Sequence, residues 1–434
     1  MEGFLAEDSL VRFVVEIVEQ LDTSKIEASY QGGGSVPYPP KMMLSLLFYC
    51  YATSIFSSRG IEKATYDLIP VIFITGNNHP DHNSINTFRK RFLEEISDIF
   101  VQILMIAHQL KIFKLGNISI DGTKIHANAS KHKALSWEYA HKLQTQLEEE
   151  VKRLHAMAES TQTASTKEID IPKELKRRNA RLEQITKAKA EMEARAKVRY
   201  EAELVEYERK MAARQAKEDE SGRKFGGRYP KKPEAEPKKS DQVNFTDEES
   251  RIMPVSGGGF EQCYNAQASV DMETMLIVGN HVTQNTNDKK EVEPALAQLK
   301  QLPNSLGKIE NATLDSGFFS EKNINLLNDH GIIPLIPSGR QTHNTPLDQQ
   351  LNETVDELPE GLTNLEAMRI LLKTEGGKDL YAKRKSTVEP VFGIIKHVMG
   401  FRQFLLRGLK AVAGEWNLVC IAFNLKRMHR LVAS

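Results

Sequence analysis

The chain is short of cysteine, of net charge and of long apolar runs, and each shortage excludes something. Its three cysteines, Cys50, Cys263 and Cys420, are odd in number, far apart and without a C-x-x-C spacing. That fits a reducing compartment and leaves neither a disulfide framework nor a thiolate zinc site. The most apolar stretch, Met42 to Phe56, is shorter than the roughly 20 residues needed to span a bilayer. The first ten residues, MEGFLAEDSL, are too acidic and too poor in apolar run for a secretory signal. A cytoplasmic protein with no membrane partner is expected. Lys plus Arg and Asp plus Glu each number 58, giving zero formal charge, so no field of one sign covers the whole chain. The hydrophobic share of 40% is ample for a core, and 434 residues suggest two or three domains.

What is present is a small set of acidic residues in telling contexts. Asp121 in ISIDGTKIHANAS and Asp315 in NATLDSGFF each end a short apolar, β-branched run, and Gly122 or Ser316–Gly317 follows. This places a carboxylate at the exposed end of a buried strand. An Asp before Gly is equally a turn residue that caps its own backbone. Glu389 stands in KRKSTVEPVFGIIKHVMGF, where Ser386 to Glu389 matches the capping box S-x-x-E. Pro390 argues against that box, because the first intrahelical bond would need the N–H that proline lacks. A helix starting near Val388, with Pro390 in its first turn, frees the Glu side chain. Val391, Ile394, Ile395 and Val398 then form an apolar stripe, and Gly400 can end it. Glu389, Gly393 and Lys396 share another face, where a glycine permits close approach of a protein or nucleic-acid backbone. Two Asp and one Glu can hold two Mg²⁺ ions, which prefer carboxylate and phosphate oxygens. Such ions, roughly 4 Å apart, clamp the attacking and leaving oxygens of a phosphoryl displacement.

From Tyr381 to the end there are about ten Lys and Arg against only Glu389 and Glu415. This basic region, with Arg384, Lys385, Lys396 and Arg402 close to Glu389, suits a phosphate backbone. Near the other end, Arg89, Lys90 and Arg91 open a helix expected over 84–106. DNA-contacting helices of helix-turn-helix folds often carry such a cluster, and so do ordinary solvated helices. His79-Pro80-Asp81-His82 reads as a loop and helix start rather than a metal site.

The segments IDGTKIHANAS, GGFEQCYNAQASVD, HVTQNTND, LDSGFFSEKNI and VEPVFGIIKHVMGFRQFLLRG resemble those of bacterial insertion-sequence transposases of the DDE type. The resemblance covers roughly residues 30–135 and 250–430. It implies an RNase H-like catalytic domain in which Asp121, Asp315 and Glu389 are the metal ligands. It implies Mg²⁺ as cofactor, two ions, with Mn²⁺ as substitute. Lys396 takes the place of a DNA-contacting cation two turns after the Glu, and Tyr381 with Arg384 or Lys385 that of a Tyr and Arg before it. The partners implied are DNA, as terminal inverted repeats and as target, and a second copy of the chain in a homodimer. A nuclease of the same fold that does not join strands, or a DNA-binding relic without activity, are the alternative readings.

Three domains are expected. Residues 1–115 read as a helical domain, which in such transposases binds the element's ends. Residues 116–135 and 246–434 alternate strands with helices, as in an α/β fold with a mixed sheet. Between them, residues 136–245 carry Leu143, Leu147, Val151 and Leu154, then Leu175, Leu182, Ile185 and Met192, at helical spacing. Pro172 divides this stretch into a helical hairpin or coiled coil, ending in the Gly-, Pro- and Lys-rich linker SGRKFGGRYPKKPEAEPKKS, expected to be flexible or disordered. A dimerisation arm, a DNA clamp and a passive spacer all suit it.

Overall fold

The computed structural model describes residues 2–30, 37–160, 170–224, 227–339 and 361–433. The chain divides into two compact units, one of Met1–Asn128 with Ile252–Ser434 and the other of Ala129–Arg251. The described strands are, in chain order, β1 (Ile118–His126), β2 (Ala134–Ser136), β3 (Gln242–Asn244), β4 (Arg251–Pro254), β5 (Phe260–Asp271), β6 (Ile277–Thr283), β7 (Asn311–Leu314) and β8 (Ile333–Leu335).

The first unit is α/β with a mixed sheet. Strand β1 lies at its centre, antiparallel to β5 from Ile118↔Asp271 to His126↔Cys263. On its other side β7 runs parallel, pairing Ile118, Ser119 and Ile120 with Ala312, Thr313 and Leu314. Strand β8 follows, parallel to β7, while β6 is antiparallel to β5 and β4 also pairs with β5. Ile118, Ile120, Ala312 and Leu314 are fully buried, as the apolar runs before both aspartates require.

Gly122 is not a turn residue. The strand runs on to His126, because β5 supplies a backbone partner at every step. The three short strands expected at 266–270, 275–278 and 281–283 are two, the longer β5 and a single continuous β6. The expected helix over 84–106 is two helices, His82–Arg91 and Leu93–Gln109. Phe92 breaks it: its ring is buried against Tyr30 and Phe88, with its backbone at φ −107°, ψ 33°. The helix Leu409–Ala433 is buried along most of its length and packs on Pro40–Ala52, Leu93–Gln109 and β6. Amino-terminal helices and sheet thus share one core. Among the described residues, no helix is long and apolar enough to cross a membrane.

The second unit is built on two helices, Trp137–Ser160 and Ile171–Ser221, with Pro172 in the first turn of the second. Arg178 meets Glu150 at 2.8 Å and Lys189 meets Gln144 at 2.9 Å, so the helices run antiparallel. Ala140, Leu147, Ile185, Ala188 and Met192 bury their stripe, together with Leu135 of β2 and Val243 of β3. Phe225 and Gly226 of the linker lie outside the described residues. Beyond them the chain returns along the second helix, with Tyr229 beneath Arg214 and Lys238 beside Glu203.

Candidate active site

The parallel pairing of β1 with β7 places two carboxylates side by side. Asp121 and Asp315 each lie one residue beyond the Ile120–Leu314 pair. Asp315 starts a turn, and its Oδ1 accepts the Gly317 N–H at 2.7 Å. Asp121 remains in the strand, where its Oδ1 accepts from the Gly122 N–H at 2.8 Å. Burial pushes the Asp121 carboxyl up to about 7; Arg384 opposes that shift, and the charges of Asp315 and Asp288 add to it.

The third carboxylate arrives on a short helix, Val388–Gly393, which has Pro390 in its first turn and no side-chain cap. Glu389 is therefore left free to reach Arg384. A π-helical turn, Ile394–Val398, continues the helix, closed by the Met399 N–H to Ile394 carbonyl bond. The wider turn shifts the helix phase, so Val388, Val391, Ile395 and Met399 are buried and Val398 is 60% exposed. The expected stripe fails at Val398 for that reason. Gly400 ends the segment at φ +76°, the left-handed conformation glycine adopts without strain.

Arg384 links these carboxylates. Its Nη2 donates to Asp121 Oδ2 at 2.6 Å and its Nη1 to Glu389 Oε1 at 3.3 Å. Burial also raises the Tyr381 phenol, opposed by Arg384 and reinforced by the charges of Asp315, Asp121 and Glu389. Tyr381 is thus within electrostatic reach of all three carboxylates.

Other expected contacts fall differently. Lys385 is exposed. Lys396 donates to the Lys124 carbonyl at 2.9 Å, and burial lowers its ammonium below the usual range. Arg402 is bonded to the Lys396 carbonyl and to His397. Arg91 lies exposed over the Tyr30 and Phe92 rings and donates to the Ser29 carbonyl. Arg89 is buried, bonded to Tyr51, Phe56 and Asn86 and 3.9 Å from Glu415. Its guanidinium is bonded within the core and also stands at the wall of a groove lined by Arg59, Lys90 and Arg407.

A fourth acidic residue lies close by. Asp288 Oδ1 accepts from Asn265 at 2.7 Å and from Gln267 at 2.6 Å, and Lys124 is 3.6 Å away. The signal was in HVTQNTND, where the residue ends an amide-rich turn after a strand; nothing in that spacing announced that it would lie against Gly122.

The donors suit a hard divalent cation, since three carboxylates supply oxygen only. Their present spacing does not, because the Arg384 guanidinium lies between two of them. Among the described residues no three His, Cys, Asp or Glu side chains are grouped to hold a metal.

Two segments of this α/β chain match families of transposases. Residues 1–91 match the family model described as Transposase domain (DUF772), and residues 351–429 match Transposase DDE domain. Both matches are to transposase families, and together they support an insertion-sequence DDE transposase. No curated protein and no solved structure matches it significantly. Glu389 lies inside the second matched segment, whereas Asp121 and Asp315 lie in neither.

Proposed function

We propose that the chain binds the terminal inverted repeats of its own insertion element, hydrolyses a phosphodiester at each end, and joins the freed 3′-OH to target DNA. The observation that carries this reading is the juxtaposition of Asp121 and Asp315 on adjacent parallel strands, with Glu389 tied to the first through Arg384. The sheet order β6-β5-β1-β7-β8, antiparallel for three strands and parallel for two, supports an RNase H-like catalytic domain. Asp121, Asp315 and Glu389 would hold Mg²⁺, as two ions, with Mn²⁺ as substitute. When bound, the metal supplies positive charge to the phosphoryl group in transit.

The protein's own residues bind and orient the DNA. Lys385, exposed four residues before Glu389, and Arg402, bonded to the Lys396 carbonyl, are cations offered to that DNA. A groove of about 610 Å³ is lined by Arg59, Lys90 and Arg407, cations that suit a phosphate backbone. The antiparallel helices of the second unit serve as an arm, and a homodimer in the cytoplasm would hold two ends at once.

The test is labelled element-end DNA incubated with protein stripped by EDTA, then resupplied with Mg²⁺. Nicked and joined products should appear only after resupply. Cleavage that persists in EDTA would overturn the metal reading, and cleavage without joined product would favour a nuclease.

A further inference from the structure

Arg384 has the lowest exposure of the cations around the three carboxylates, with 9% of its side chain open to solvent. It sits at the end of the helix Glu375–Lys383, where the backbone enters a tight turn. Its two terminal nitrogens are spent on Asp121 and Glu389, yet its Nε is buried without a hydrogen-bond partner. A buried donor left unmade has a cost, so this seat does not satisfy the whole guanidinium. Asp121 nevertheless needs a positive neighbour, being buried beside Asp315 and Asp288. One cation is therefore held where a carboxylate-ligated metal would need the same two oxygens.

We propose that Arg384 is a positioning residue that holds Asp121 and Glu389 in place of the metal and gives up Asp121 when a divalent cation enters. This rests on reading the three carboxylates as metal ligands. The exchange adds positive charge to the carboxylates: a guanidinium of single charge leaves and a divalent cation arrives, with no covalent bond made or broken. It also frees the guanidinium for a DNA phosphate at the moment the metal is seated.

The experiment is Mn²⁺ binding followed by electron paramagnetic resonance on DNA-free protein, comparing wild type, Arg384→Gln and Asp121→Asn. Arg384→Gln should bind Mn²⁺ about tenfold tighter, the effect of removing one charge-assisted competitor, and Asp121→Asn should lose binding. In the wild type, phenylglyoxal modification of Arg384, read by peptide mass spectrometry, should quicken when Mn²⁺ is added; this arm stands even where Arg384→Gln fails to fold. Unchanged or weaker affinity in a folded Arg384→Gln, or Arg384 reactivity indifferent to Mn²⁺, overturns the exchange. Wild type that binds no Mn²⁺, or binds it independently of Asp121, overturns the metal reading and the exchange with it.

Discussion

Gly122 and Asp288 approach so closely that a Cβ built on the glycine would lie 2.7 Å from the carboxylate oxygen Oδ1 of Asp288, and would also run into Gln267 Nε2. The glycine is what lets β1 carry Asp121 past an acidic side chain donated by the turn after β6.

Gly122→Ala should force both side chains away and disturb the residue beside Asp121. Overpacking of this kind costs about 1–3 kcal/mol. Gly393→Ala is the control, since nothing lies within 4 Å of its added Cβ. There, helix propensity should raise stability by up to about 1 kcal/mol. Denaturant unfolding of the two variants checks the pair; equal effects would refute the close-approach account of Gly122. If Gly393→Ala weakens DNA binding while stabilising the fold, the open face beside Glu389 is where DNA approaches.

Glu415 should matter to stability rather than to chemistry. It is buried, accepts the Leu405 and Leu406 N–H groups at 2.9 Å, and receives the Tyr51 hydroxyl. Arg89 stands 3.9 Å away, itself buried. Glu415→Ala leaves that charge without its counter-ion, which costs about 3–5 kcal/mol. A urea midpoint within error of wild type would contradict this.

Stability should also carry a pH signature. Unfolded, Asp121 titrates near 3.8; folded, burial holds its carboxyl up at about 7. Between those values the folded protein binds the extra proton, so this contribution is lost as pH rises from about 4 to about 7 and is then flat. Asp121→Asn in EDTA should remove that slope, gaining on wild type by up to about 4 kcal/mol across the window. A difference that does not vary with pH would show that Asp121 titrates normally.

Much of this was legible in the sequence, and the failures have physical causes. The apolar runs ending at Asp121 and Asp315 imply buried strands, and both are present, adjacent and parallel. Pro390 marked the start of the Glu389 helix. The π turn at Ile394–Val398 was not legible, because one widened turn leaves no mark on residue type while it rotates every later side chain. Nor was the burial of Arg89, since helical spacing says which residues share a face and not whether Glu415, far along the chain, will meet it. The bond of Arg384 to Asp121 likewise joins residues far apart in the sequence, which local spacing does not reveal.

The groove lined by Arg59, Lys90 and Arg407 gives a separable prediction about DNA. Substituting any of the three by Ala should weaken binding alike for element-end and unrelated DNA. It should also lower the slope of log affinity against log salt by about 1. Filter binding across a salt series measures it, and an unchanged slope in all three variants would place the DNA elsewhere.

The most direct test of the site is strand cleavage and joining by Asp315→Asn, set beside wild type on the same element-end DNA. Asp315 lies outside both matched transposase segments, so its role rests on the pairing of β1 with β7. Asp315→Asn keeps the shape and the turn while removing the charge. With several kcal/mol of transition-state stabilisation at stake, cleavage and joining should fall by about 10³-fold or more, with DNA binding and thermal stability unchanged. Cleavage at the wild-type rate by folded, DNA-bound Asp315→Asn would show that these paired carboxylates are not the catalytic centre.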